Sequence, residues 1–199
     1  MISALIQYLA AALSVGLLSL WALGERPAKV RLWAGLGLTA FAMLPLFKGL
    51  SLAQMILSAN PSFSMVFISL MLSSFVHRMT CGEVELIDQA GRRSLAIIVV
   101  GLSAIVMPAS LGVWPIDVYA IGYATRPLVV VIGVYALLML LIRPAVGVVL
   151  GIALGAYAFD LVGSGNIFDS LIDGVGLFYC VYVLVMSELD ARQGASEAL

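Results

Sequence analysis

Seven apolar stretches separated by short polar connections run the length of the chain, at about 4–24, 32–50, 62–78, 95–112, 127–142, 145–160 and 167–187. A bilayer core about 30 Å thick takes roughly 17–25 apolar residues per helical span, and backbone amides in lipid have to bond within their own segment. Each stretch therefore predicts a helix, and the period-two alternation of barrel strands is absent. The fifth and sixth stretches are short and hinge at Arg143 and Pro144, so six spans is the alternative count. The first stretch has no basic flank before it and runs into Glu25, Arg26, Lys29 and Arg31, which predicts a retained helix rather than a cleaved signal peptide.

Composition moves these helices from a soluble core into lipid. Of 199 residues, 63% are apolar and only 11% charged, with a mean hydropathy of +1.13, more than a soluble chain of this length can bury. The expected class is an all-α, polytopic integral membrane helical bundle. Residues 1–187 form one transmembrane domain, and 188–199 a short polar tail.

Charge then orients the bundle. Odd-numbered connections and the tail hold Arg26, Lys29, Arg31, Arg78, Arg92, Arg93, Arg143 and Arg192, whereas even-numbered ones hold only Lys48 and Arg126. By the positive-inside rule the N-terminus lies outside and the tail in the cytoplasm. Compact loops favour a bacterial inner membrane. The mixed-sign loop 79–94 reads as a short surface helix or a solvated linker. A net charge of -1, with basic residues single or paired, excludes nucleic acid as a partner and leaves the lipid bilayer as the predicted environment.

Gly147, Gly151 and Gly155 recur every fourth residue along the sixth stretch, a small-residue stripe that lets another helix approach closely. It predicts packing within the chain first and a homo-oligomer seam second. Asn60, Pro61 and Ser62 read as a turn capping the third span.

The unusual polar residues lie in the connections assigned to the outer face. Asn166 followed by Asp169 has capping-box spacing, with a carboxylate at the positive end of a helix dipole. Asp173, one turn beyond Asp169 on a continuous helix, would repel it. Asp160 ends the sixth span and Arg126 begins the fifth, each against its helix dipole. These misfits predict that Asp160 or Asp173 pairs with Arg126 or Lys48 at the membrane boundary. Trp114, Tyr119 and Tyr123 border the same region. They fit an interfacial belt, or with Asp117 and Arg126 a surface for a sugar, a lipid headgroup or a partner's loop.

Several chemistries drop out. His77 is the only histidine and neighbours Arg78 at a cytoplasmic helix end, which suggests headgroup contact rather than metal binding or catalysis. Cys81 in a loop and Cys180 deep in the last span are too far apart for a disulfide. There is no P-loop and no GxGxxG after a strand, and no cofactor is expected. Gly165, Asp169 and Asp173 resemble the Gly-x3-Asp-x3-Asp end of the CDP-alcohol phosphatidyltransferase motif. The resemblance covers nine residues and lacks the upstream Asp-Gly-x2-Ala-Arg half between 145 and 164, so the assignment is rejected. The expected function is a non-catalytic membrane subunit or scaffold whose outer loops bind an envelope protein or a lipid-linked glycan or headgroup. The alternative is a small transporter or ion channel using outer acidic residues.

Overall fold

Helix boundaries follow caps and breakers rather than hydropathy. The computed structural model describes residues 1–24, 26–46, 48–123 and 126–197, with side chains except at 190 and 193–197. These residues form helices without a strand among them: α1 (Ile2–Leu23), α2 (Ala28–Ala42), α3 (Leu52–Ala59), α4 (Met65–Met79), α5 (Gln89–Ser110), α6 (Val118–Ile121), α7 (Arg126–Ile142), α8 (Pro144–Ala158), α9 (Ile167–Leu171) and α10 (Gly174–Glu197). Among the described residues α1 and α5 are long and apolar enough to cross a membrane, while α4, α7, α8 and the first part of α10 are shorter apolar helices.

Three expected segments are redrawn. The second stretch is helical only to Ala42, because Pro45 disfavours helical backbone at Leu44. Lys48 therefore does not end a helix. It sits exposed in a turn at φ 50, next to Gly49 at φ 85. The chain then forms α3, started by a capping box in which Ser51 and Gln54 bond each other's backbone. The cap of α4 is Ser64, which accepts from Phe67 N at 3.2 Å, rather than the Asn60–Ser62 turn.

The last stretch divides at Ile172, whose extended backbone separates α9 from α10. Asp169 thus lies in α9 and Asp173 just ahead of α10, and the expected repulsion along one helix face does not arise. The loop 79–94 shortens as well. Asp88 caps α5 through Gly91 N at 3.1 Å, which draws Arg92 and Arg93 into the first turns of that helix.

Helix α4 is apolar on both sides and forms the centre. Val66 and Leu70 pack with buried residues of α5, α8 and α10, whereas Phe67, Met71 and Phe75 pack with Phe63 and the alanines of α1. A Cβ at Gly16 would stand 3.0 Å from Gly35 O, so glycine is what lets α1 and α2 cross closely there. Within the chain the glycine stripe of α8 is not one contact surface. A Cβ at Gly147 would lie 2.7 Å from Leu140 Cγ and 2.8 Å from Ala136 O, whereas nothing lies within 4 Å of one at Gly151 or Gly155. Four residues exceed one helical turn by about 40°, so the row winds away from α7.

Alternating helix directions put most of the basic residues at one end and Asp117, Asp160, Asp169 and Asp173 at the other. One end, the aspartate end, gathers the starts of α1, α4, α7 and α10 with α3, α6 and α9. The other, the arginine end, gathers the end of α1, the starts of α2 and α5, the end of α4 and the later part of α10. There Arg143 Nη1 donates to Ala90 O at 2.7 Å, and Arg93 approaches Glu188 at 3.7 Å.

Candidate functional site

At the aspartate end each aspartate has a local structural role. Asp173 is 9% exposed and accepts from the N–H of Ser64 at 2.9 Å and of Gly176 at 2.7 Å, so one side chain caps α10 and holds the start of α4. Asp160 is exposed at φ 52. Its N–H reaches Tyr157 O at 3.1 Å and the N–H of Leu161 reaches Ala156 O at 2.8 Å, a Schellman turn that closes α8. Asparagine and aspartate tolerate that left-handed position better than most residues, which accounts for an anion where the dipole disfavours one.

Asp117 caps α6 through Ala120 N at 3.0 Å. Asn166 caps α9 through Phe168 N at 3.0 Å and donates to Tyr119 O at 2.9 Å. Asp169 does not close a capping box onto Asn166. It accepts instead from the Tyr119 hydroxyl at 3.0 Å and from the Ser164 hydroxyl. Burial, followed by the hydrogen bonds of Tyr123 and Asp169, raises the Tyr119 phenol above its ordinary range. Tyr123 meets the Tyr119 ring edge-on at 5.7 Å.

The expected ion pairs do not form. Among the described residues no salt bridge joins Asp160 or Asp173 to Arg126 or Lys48. The physical reason is that two backbone N–H groups already satisfy Asp173 and a turn already explains Asp160. Lys48, Trp114 and Arg126 are exposed and stand outside the Tyr119–Ser164–Asn166–Asp169 network.

The less expected grouping is at the arginine end. A cavity of about 460 Å³ is lined by Arg31, Arg78 and Arg92 together with His77, Trp21 and Tyr179, and among the described residues no carboxylate is in its walls. Arg78 lies over the Trp21 ring, 4.8 Å from its centroid, and Trp21 packs on Tyr182 at 4.9 Å. Ser74 and Tyr179 share a hydrogen bond of 2.6 Å on another wall. Arg92 is oriented by Nε donation to Ile87 O at 2.9 Å, and its nearest acid is the partly exposed Glu85 at 3.7 Å.

Arg31 is 9% exposed, and its recorded side-chain bond is a weak one to Cys81 Sγ at 3.5 Å. Arg31 Nε, His77 Nδ1 and Trp21 Nε1 are buried without a hydrogen-bond partner among the described residues. Buried polar groups are nearly always paired, and buried cations more so. Arg31 and Arg92 also stand in the first turns of α2 and α5, against the helix dipoles. Three guanidinium groups that repel one another, donors without acceptors and two helix starts together describe a place for an anion.

In the sequence these arginines are fully accounted for by the orientation rule. Span starts at 32 and 95 leave Arg31 and Arg92 outside the predicted spans, where their dipole misfit does not show. Comparison with known protein families, curated proteins and solved structures finds no match to this chain.

Proposed function

We propose that this chain is an integral membrane protein of seven spans, with its arginine end in the cytoplasm, that binds a phosphate-type anion without transforming it. The carrying observation is the cavity whose described walls hold three guanidinium groups, buried donors without a partner among the described residues and no acidic side chain. Planar guanidinium forks suit phosphate oxygens, and such charge-assisted bonds exceed neutral ones in strength. The eight-to-two sorting of basic residues supports the orientation. Compact loops support a bacterial inner membrane.

The test uses the purified full chain in neutral detergent at low salt. Inorganic phosphate and pyrophosphate raise its melting temperature, and Arg31→Gln and Arg78→Gln each weaken the response at least fivefold. Chloride at equal ionic strength does not substitute. Absence of any stabilisation by either phosphate overturns the reading. Orientation has its own check, because Cys81 is exposed and Cys180 buried. A membrane-impermeant maleimide labels Cys81 in inverted vesicles and not in intact spheroplasts; the opposite pattern reverses the topology.

A second reading, docking of an envelope partner at the other end, is favoured by one surface. Leu111, Val113, Trp114, Ile116 and Tyr123 are all exposed in the segment between α5 and α7. Side chains of that size at one loop fit a protein interface or the interfacial aromatic belt. Crosslinking from residue 116 to a protein in stoichiometric yield supports docking, and crosslinking to lipid alone removes it.

A further inference from the structure

We infer that the anion is the phosphate of a membrane lipid, with its hydrocarbon chain held in an apolar slot between α1 and α10. This rests on the anion-binding reading above and adds the ligand's chemical class. A second cavity, of about 410 Å³, is lined by Leu17, Leu18, Phe67, Met71, Val175 and Phe178, and it shares Trp21, Tyr179 and Tyr182 with the arginine cavity. The three shared aromatics therefore form a rim between a cationic compartment and an apolar one.

The order of chemistry along the slot matches an anionic lipid. Guanidinium groups come first, then rings with polar edges, then aliphatic and phenylalanine side chains, as a headgroup, interface and tail require. The walls are extended enough for a chain segment. Ser14 to Trp21 on α1 and Val175 to Tyr182 on α10 both line the slot, about 10 Å of helix each at about 1.5 Å per residue.

The slot also opens sideways, since Leu18 is 66% exposed and Phe178 78% exposed on its two lips. A lipid entering from the bilayer keeps its tail in apolar surroundings, while its phosphate exchanges interfacial water for fixed cations. A small soluble anion would leave this slot unused.

The experiment titrates delipidated full-length protein, read by native mass spectrometry, with three probes. Dioleoyl phosphatidic acid carries head and tails, glycerol 3-phosphate the head alone, and dioleoylglycerol the tails alone. Phosphatidic acid binds at least tenfold tighter than either fragment. Leu18→Trp, which fills the slot from an exposed position, weakens phosphatidic acid at least fivefold and leaves glycerol 3-phosphate unchanged. Arg78→Gln weakens both phosphate probes. Melting curves establish that each variant is folded before its affinity is compared, and Phe178→Ala replaces Leu18→Trp should the latter misfold.

Glycerol 3-phosphate binding as tightly as phosphatidic acid overturns the lipid assignment and leaves the anion site standing. Dioleoylglycerol binding as tightly as phosphatidic acid also overturns it, as does indifference of phosphatidic acid to both slot variants. Binding of neither phosphate probe overturns the anion site as well.

Discussion

Replacing Asp173 by alanine tests whether this carboxylate is a structural clasp or a charge awaiting a cation. Its two oxygens serve different N–H groups, Ser64 at 2.9 Å and Gly176 at 2.7 Å, in a place only 9% exposed. Loss of a helix cap costs about 1 kcal/mol, within a range of about 0.5–2. The buried Ser64 N–H left without an acceptor adds about 1–3 kcal/mol. Asp173→Ala is therefore expected to lower unfolding free energy by about 2–5 kcal/mol. Asp173→Asn keeps one oxygen acceptor and loses the charge, so about 1–3 kcal/mol is expected. The assay is reversible unfolding by sodium dodecyl sulfate in mixed micelles, followed by circular dichroism. Arg126→Gln supplies the decisive control: an exposed arginine without an ion pair among the described residues changes stability by less than about 0.5 kcal/mol. Should Asp173→Ala fall within that same margin, the clasp is wrong. Should Arg126→Gln reproduce the alanine effect, an ion pair is restored as the explanation.

Further expectations follow from the same geometry. Gly147→Ala, which places a methyl against α7, costs about 1–3 kcal/mol, whereas Gly155→Ala, with open space around it, gains up to about 1 kcal/mol from helix propensity; equal effects in the same unfolding assay would restore the stripe as one surface. Asp160→Gly is neutral or stabilising by up to about 1 kcal/mol, while Asp160→Val is destabilising by about 1–2 kcal/mol, because φ is 52 there; a tolerated valine argues against the turn assignment. The raised phenol of Tyr119 gives a pH dependence: the fold favours the neutral form, so its contribution is complete below the unfolded value of about 10 and is lost as pH rises through the higher folded value. The melting-temperature advantage of wild type over Tyr119→Phe accordingly shrinks above about pH 10, and a constant difference from pH 8 to 11 contradicts this.

What the sequence discloses depends on how local each cause is. The apolar stretches are legible because burial acts on the average of many side chains, and the charge sorting is legible because it is a count. Helix ends are decided by single residues inside those averages. Ser51 and Gln54 write a capping box in the middle of an apolar run, and Pro45 stops α2 where hydropathy continues. Those two signals are in the sequence and are outvoted by their neighbours. The partner of Asp173 has no local signal, because Ser64 lies 109 positions away and contributes only its backbone N–H, a group every residue but proline carries.

The arginine cavity combines both difficulties. Arg31, Arg78 and Arg92 each come from a different helix, so no spacing in the sequence links them. Each also has an adequate separate explanation in the orientation rule. What separates a site from a topological flank is what surrounds the charge: a flank arginine at a bilayer surface keeps its donors in water or headgroups, whereas Arg31 has its Nε buried and without a partner among the described residues. That difference exists only after α1, α2, α4, α5 and α10 have packed. The informative sequence signal is a smaller one, two arginines a few residues after the N-caps of α2 and α5, where a helix dipole favours anions. Moving a predicted boundary by a single helical turn is enough to expose or conceal it.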